Sequence, residues 1–328
     1  MKPVHYSILF LMAGLSACVS LPKSYQTKDE VVSVATGPED MVVDSISESP
    51  RLLLSCSSRR KHEPDYGEIQ AYYTETGALK VLKRIGEPVG LSFNPHGIDL
   101  VQVNGELVLL VVNHEHLIKV NSILRYKVLK DELLFKDKIV DPLISSPNAV
   151  TGFADGAFLV SNDAKKAGNI WEVLFKLRKA LVVYYDGRQC SVASGKYAYT
   201  NGITSRNGKV YLASTMQNKV WQFDFAEGKM LNREVIGKAK GADNLRFDGE
   251  DILVAAHLRF LKFLKHYKDS SKPSPSTVYS INPTTSKTTV VYYDDGKQIS
   301  AASTALVFRN NLYVSGIFDG KLVKKPVR

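Results

Sequence analysis

Carboxylate, amide and imidazole side chains recur at one position of a repeated pattern in this 328-residue chain. Each copy has a polar phrase, an apolar strand, a turn and a second apolar strand, and copies follow one another about every 40 to 60 residues. A ring of carboxylate and amide oxygens is what a hard cation such as Ca²⁺ requires. The sixth copy, with Ser303 and Thr304, offers weaker donors than the other five, which contribute Glu39-Asp40, His96, Asn148, Asn201 and Asp243-Asn244.

Turn formation is the alternative explanation for these residues. Asn and Asp commonly start turns, and any one of them is explained by local structure alone. Their common place in five copies favours a shared metal site over five separate turns.

The elements that must position this ring are hairpins. Asn-Gly and Asp-Gly supply the positive φ angles of tight hairpin turns. They stand between the two strands of four copies, at Asn104-Gly105, Asp155-Gly156, Asn207-Gly208 and Asp248-Gly249. Four strands per repeat and six repeats predict an all-β fold, a six-bladed β-propeller spanning residues 34–328. The residues before the first strand of each blade then converge at one end of the central channel.

Two segments interrupt the strand pattern. Residues 164–181 and 258–269 have the apolar spacing of amphipathic helices, with Arg259, Lys262 and Lys265 on one face of the second. They are predicted as short helical insertions that form a lid, rest on a membrane surface, or pack as ordinary structure on the propeller.

Three of the seven histidines lie at positions of the repeat that are expected to be near the central channel. His96 lies in a polar phrase, and His114 and His257 end second strands, in VVNH and VAAH. Imidazoles that approach one cavity can activate water as a general base at neutral pH. A purely structural hydrogen bond in the channel is the alternative for each.

Several of these phrases together resemble the paraoxonase/arylesterase family of calcium-dependent six-bladed propellers, over roughly residues 34–328. The most specific are FNPHGI (93–98) and LLVVNH (109–114), joined by GPEDM, SND, NGI, DN and VVYY (182–185). The resemblance implies a catalytic Ca²⁺. In the mechanism expected here, His96 activates the water with the help of His114, and His257 positions the substrate or shuttles a proton at the cavity wall. The implied ligands are Glu39, Asn148, Asn201, Asp243 and Asn244.

The resemblance also implies a second, structural Ca²⁺, bound by Asp40 and the backbone carbonyl of Ile98. Its third protein ligand falls at Ala149, where the family pattern has Asp, so this site lacks one side-chain oxygen. The cysteine pair that ties the chain ends in the family has no counterpart here, and ring closure is expected to rest on strand pairing. Cys56 is expected to be a buried free thiol, although pairing with Cys190 stays open.

The N-terminus resembles a bacterial lipoprotein signal. Residues 1–17 carry a short apolar run that ends at Leu-Ser-Ala-Cys, which predicts cleavage and lipidation at Cys18. Residues 18–33 are then a tether, and the absence of Asp after Cys18 favours the outer membrane, on its periplasmic side. The formal charge of +10 is scattered, which argues against a nucleic-acid partner.

The function predicted from these features is hydrolysis of aryl esters or lactones, dependent on Ca²⁺. No G-x-S-x-G motif is present, so a serine nucleophile is poorly supported. The alternatives are a non-catalytic binding module stabilised by calcium, and a gluconolactonase-like or strictosidine-synthase-like propeller. A binding module has no need for His96 and His114 together.

Overall fold

The chain folds into six sheets, each built on four antiparallel strands, and the computed structural model describes residues 29–116, 118–166 and 169–327. After β1 (Glu30–Ser33), the first three blades follow in chain order. Blade I is β2 (Pro38–Asp44), β3 (Arg51–Ser57), β4 (Gly67–Tyr73) and β5 (Ala78–Val81). Blade II is β7 (Pro95–Val103), β8 (Glu106–Glu115), β9 (Val120–Val128) and β10 (Glu132–Ile139), and β6 (Lys83–Ile85) adds a parallel edge strand to β10. Blade III is β11 (Pro147–Gly152), β12 (Phe158–Asn162), β13 (Ala180–Tyr185) and β14 (Cys190–Tyr197).

The other three blades complete the ring. Blade IV is β15 (Thr200–Arg206), β16 (Lys209–Ser214), β17 (Lys219–Ala226) and β18 (Lys229–Gly237). Blade V is β19 (Ala242–Asp248), β20 (Asp251–His257), β21 (Ser276–Ile281) and β22 (Thr288–Asp294). Blade VI is β23 (Ala302–Phe308), β24 (Asn311–Gly316) and β25 (Lys321–Pro326), with β1 as its fourth strand. The first strand of each blade contacts the first strand of the next, and the predicted six-bladed propeller is confirmed.

Apolar side chains fill the space between neighbouring blades. Leu53 and Leu109 belong to the cluster between blades I and II, and both are fully buried. Within the described ranges such a cluster lies in every gap of the ring, including that between blades VI and I, where Met41 meets Tyr313. Burial of both faces explains why the second strand of each blade is a continuous apolar run.

Strand pairing closes the ring, as expected from the missing cysteine pair. β1 pairs antiparallel with β25, with Glu30 opposite Lys324 and Ser33 opposite Lys321. The end of the segment assigned to the tether, residues 30–33, is therefore part of the propeller. Cys56 is buried, and neither Cys56 nor Cys190 is in a disulfide within the described part of the chain. Residues 1–17 and Cys18 lie outside the described residues.

The helical insertions are shorter than the sequence pattern suggests. Among the described residues of 164–181, only α1 (Ile170–Leu174) is helical, and the strand β13 already begins at Ala180 because its side chain packs in the core between blades III and IV. The second insertion forms α2 (Phe260–Lys268), close to its predicted range. Among the described residues, no helix is long and apolar enough to cross a membrane.

Helix α2 is fixed to the propeller by a buried polar cluster. His266 is fully buried, its Nδ1 donates to the carbonyl of Lys272 at 2.9 Å, and its Nε2 lies 3.2 Å from Asp319 Oδ2. Arg60 from blade I donates to Asp319 Oδ1 at 2.8 Å, so blades I and VI both hold the helix. The sequence pattern had not singled out His266.

Candidate active site

Every innermost strand has a register shift at its candidate site residue. The shifts fall at Glu39 in β2, His96-Gly97 in β7, Asn148 in β11, Asn201-Gly202 in β15, Asp243-Asn244 in β19 and Ser303 in β23. A bulge leaves its extra residue outside the ladder and re-aims the side chain. The site residues therefore lie inside the first strands, in bulges, and not before the strands as the sequence pattern suggested.

Neighbouring bulges touch, and two glycines make that approach possible. A Cβ on Gly97 would lie 2.4 Å from the carbonyl oxygen of Asn148, and one on Gly202 would lie 2.7 Å from the carbonyl oxygen of Asp243. Such distances are too short for any side chain, so glycine is required where the backbones of blades II and III, and of IV and V, meet. The six polar phrases thus form one ring at one end of the channel.

Hydrogen bonds join the ring on the side of blades I, V and VI. Asn244 Nδ2 donates to Glu39 Oε1 at 2.9 Å. Ser303 Oγ lies 3.1 Å from the same Glu39 oxygen and 3.0 Å from Asp243 Oδ2. Ser303, which the sequence pattern marked as a weaker metal ligand, therefore bridges the carboxylates of Glu39 and Asp243.

Three oxygens of the ring are buried without a partner. Glu39 Oε2, Asn148 Oδ1 and Asn201 Oδ1 have no hydrogen-bond partner among the described residues, and the three side chains are at most 4% exposed. An unpaired buried carbonyl or carboxylate oxygen costs free energy, because it has lost its water. A cation bound by these oxygens would offset that cost in free energy.

Electrostatics at Glu39 point the same way. Burial, together with the charges of Asp40 and Asp243, raises the pKa of Glu39 to about 8. The charge of Arg59 offsets only part of this rise, and a divalent cation would supply the further positive charge that favours the ionised carboxylate. The donor set of two carboxylates and three amides fits Ca²⁺. In the described ranges no three His, Cys, Asp or Glu side chains cluster as metal ligands, so the site depends on its amides.

The implied second calcium site does not fit its metal. The guanidinium of Arg246, from blade V, donates through Nη2 to both carboxylate oxygens of Asp40 at 2.7 Å and to the carbonyl of Ile98 at 2.9 Å. Both implied ligands therefore already contact a cation, and Ala149 adds no side-chain oxygen.

Arg59 decides which nitrogen of His96 carries the proton. Arg59 Nη1 lies 2.9 Å from His96 Nδ1, and Arg59 Nη2 donates to the carbonyl of Pro95 at 2.7 Å. A guanidinium can only donate, so Nδ1 of His96 accepts and its hydrogen is on Nε2. Burial and the charge of Arg59 hold the pKa of His96 well below its usual value. Nε2 lies 3.6 Å from Glu39 Oε1, so His96 presents a hydrogen toward the ring.

His114 has the opposite tautomer. Its Nδ1 lies 2.8 Å from Asn121 Oδ1, while Asn121 Nδ2 donates to the carbonyl of Ser145 at 2.8 Å. That second bond fixes the amide, so Nδ1 of His114 is the donor and Nε2 has the free lone pair. The His96 and His114 rings meet edge to face at 5.1 Å, and burial lowers the pKa of His114 to about 4. Exposed His116, not singled out by the sequence pattern, stacks on His114 at 6.0 Å.

His257 contacts a candidate metal ligand directly. Its Nε2 lies 2.7 Å from Asp243 Oδ2, and its ring packs on Phe263 of α2 at 4.6 Å. His257, expected at the cavity wall, is thus paired with Asp243 of the bulge ring. Arg59, Asn121 and Arg246 were missed, since nothing in their local sequence marks them.

A cavity of about 760 Å³ lies elsewhere, between blades V and VI near the hairpin turns. Its lining includes Asp248 and Asn311, which lie at the ends of β19 and β24 that are remote from the bulges. None of the ring residues lines it, so it is not part of the candidate site.

Comparisons with known proteins agree with the geometry. The chain is 27% identical over 258 residues to mouse serum paraoxonase/arylesterase 1, covering 75% of this chain and 72% of that protein. It is 26% identical to human serum paraoxonase/lactonase 3, covering 70% and 68%.

Among solved structures, a gluconolactonase from Xanthomonas campestris has a TM-score of 0.60 at 12% identity and covers 92% of this chain and 91% of its own. The calcium-binding protein regucalcin from Agrobacterium tumefaciens has a TM-score of 0.56 at 12% identity, covering 90% of each chain. These two likenesses concern the fold. The family profile described as Arylesterase matches residues 68–324, and the chain belongs to that family.

Proposed function

We propose that this protein hydrolyses aryl esters or lactones with one Ca²⁺ bound by the bulge ring. The single observation that carries the proposal is the set of three buried oxygens without partners, on Glu39, Asn148 and Asn201. Family membership supports the reaction class, because the relatives are named arylesterases and lactonases. Asp243 and Asn244 complete the donor set.

The bound ion would polarise the substrate carbonyl and stabilise negative charge on its oxygen. Calcium acidifies water weakly compared with zinc, so the protein must supply its own base. The two histidines of blade II, His96 and His114, supply the proton chemistry beside the ring.

The tautomers suggest a division of roles that differs from the expectation at the sequence level. His114 Nε2 has the free lone pair and would accept a proton from the attacking water. His96 already has hydrogen on Nε2 and is held there by Arg59, so it would donate a hydrogen bond toward the reacting oxygen. Asn121 orients His114, and His257 orients Asp243.

The proposal is tested by assaying the purified protein on a panel of lactones and aryl esters. Asp243→Ala should abolish Ca²⁺ binding and turnover together, since it removes a ligand and the partner of His257. The matched control is Asp155→Ala, in an exposed turn at the opposite end of blade III, which should change neither. Bound Ca²⁺ with no turnover on any substrate would instead favour a binding module, and full turnover in Asp243→Ala would refute the proposal.

We extend the proposal to the cell envelope of a bacterium, with lipid attached at Cys18 and the propeller on the periplasmic side of the outer membrane. The supporting observation is the Leu-Ser-Ala-Cys sequence after the apolar run. Radiolabelled palmitate should be incorporated by the full chain and not by the Cys18→Ser variant. Equal labelling of both would rule out this site of lipidation.

A further inference from the structure

We infer that the guanidinium of Arg246 takes the place of a second, structural metal ion, so that a permanent cation of the chain itself joins the blades across the channel. The inference concerns the site formed by Asp40 and Ile98, which the resemblance assigned to Ca²⁺.

Arg246 contacts the carboxylate and the backbone carbonyls of this site. Nη2 lies 2.7 Å from each oxygen of Asp40 and 2.9 Å from the carbonyl of Ile98, and Nε donates to the carbonyl of Met41 at 2.9 Å. These atoms belong to blades I and II, while Arg246 itself extends from blade V, on the far side of the ring from blade II. One side chain therefore links three blades.

The remaining capacity of Asp40 is also satisfied. The backbone amides of Met41 and Ile98 donate to its two oxygens at 2.9 Å, and Thr304 Oγ1 of blade VI donates to Oδ1 at 2.9 Å. Asp40 is 1% exposed, and the side chain of Arg246 is 13% exposed. With these donors and Arg246 in place, a metal ion has no free carboxylate oxygen to bind.

Charge accounts for the combination of Ala149 with Arg246 at this site. A divalent ion with two carboxylates is neutral, and replacing the ion by a guanidinium requires one carboxylate fewer. Ala149 stands where the family pattern has Asp, which removes that carboxylate. Arg246 and Asp40 then balance one to one. Burial raises the pKa of Asp99, a further buried carboxyl group, and the charge of Arg246 offsets part of that rise.

The inference is tested by the number of ions bound and by a conversion experiment. The double variant Ala149→Asp/Arg246→Ser should bind one Ca²⁺ more per chain than the unmodified protein, measured by equilibrium dialysis and elemental analysis. The matched control Arg206→Ser, whose guanidinium lies over Phe247 at a hairpin turn, should bind the same number as the unmodified protein.

Thermal unfolding in a chelator gives a second readout that does not depend on the proposed catalytic ion. Arg246→Ser leaves Asp40 buried without its cation, and its Tm should fall by roughly 10 °C relative to the unmodified protein, both in EGTA. Addition of Ca²⁺ should restore the loss in the double variant. If the unmodified protein binds two tight ions, or if the double variant gains none, the inference is wrong. If the bulge ring binds no Ca²⁺ in any of these proteins, the proposed function is wrong. The difference of one bound ion between the double variant and the unmodified protein can still be measured in that case.

Discussion

Nε2 of His257 lies 2.7 Å from Oδ2 of Asp243, and that same oxygen accepts a hydrogen bond from Ser303. The contact joins the end of the second strand of blade V to the bulge in its first strand. His257 thus supports a candidate calcium ligand. Hydrogen bonds from neighbouring groups to metal ligands commonly tune the affinity for the metal.

Removing that support should weaken calcium binding. His257→Gln is expected to reduce the affinity for Ca²⁺ by roughly 10- to 100-fold, because Asp243 loses the bond that orients it. Isothermal titration calorimetry measures the change, and the exposed His62→Gln variant is the control. An unchanged affinity would show that the pair does not position the ligand.

Calcium binding should release a proton near neutral pH. The pKa of Glu39 is raised to about 8 in the metal-free protein, so its carboxyl group is mostly protonated at pH 7 and must ionise to bind the ion. Affinity should therefore rise with pH, by up to about tenfold per unit below pH 8, and level off above it. Calorimetry in buffers of different ionisation enthalpy counts the proton. Binding without proton release, or an affinity independent of pH from 6 to 8, would contradict this account of the ring.

His114 should matter more than His96 for proton removal. His114→Gln is expected to lower kcat by roughly 10²- to 10⁴-fold with Ca²⁺ still bound, because the free lone pair on Nε2 is lost. His96→Gln should lower kcat less, since glutamine can still donate a hydrogen bond. A larger loss in His96→Gln would reverse the two roles and restore His96 as the base.

The acid limb of the activity profile should lie low. Because burial lowers the pKa of His114 to about 4, the imidazole is neutral and able to accept a proton throughout the range above pH 5. The rate at saturating Ca²⁺ should fall as pH drops through about 4. Asn121→Ala removes the bond that favours the protonated form, so its midpoint should move further down. A midpoint near 6.5 would mean that an ordinary exposed histidine controls the rate.

Closure of the ring by β1 should carry measurable stability. Val32 packs against the cluster between blades VI and I, and Val32→Asp is expected to cost about 1 to 3 kcal/mol of unfolding free energy. The neighbour Val31 faces outward on the same strand, and Val31→Asp should cost much less. Urea denaturation compares the two variants. Equal effects would show that β1 contributes little to closure.

The fold was predictable because every copy of the repeat meets the same physical requirements. Each blade needs two apolar inner strands and a tight turn, and Asn104-Gly105 and Asn207-Gly208 adopt the two positive φ angles expected of their hairpins. The Asp-Gly pairs were less reliable guides: the turn after β11 spans five residues, and that after β19 begins at Gly249. Arg309 and Asn310 form a positive-φ turn with no glycine, which sequence alone did not indicate.

The ring residues were predictable for the same reason, since each occupies one place in the repeat. The bulges that aim them were not, because a register shift depends on the partner strand. Arg59 and Arg246 were also beyond the sequence pattern. Both side chains bind partners that are distant in the sequence. Arg246 and Asp40, for example, are 206 positions apart.

The most direct test of the central claim follows Ca²⁺ occupancy and ester hydrolysis in the same samples. Chelated protein would be titrated with Ca²⁺ while the bound ion, the rate on an aryl ester or lactone, and the circular dichroism spectrum are recorded. The account predicts that the rate rises in proportion to one bound ion, with the β-sheet spectrum intact throughout. Full hydrolysis in the chelated protein would contradict it.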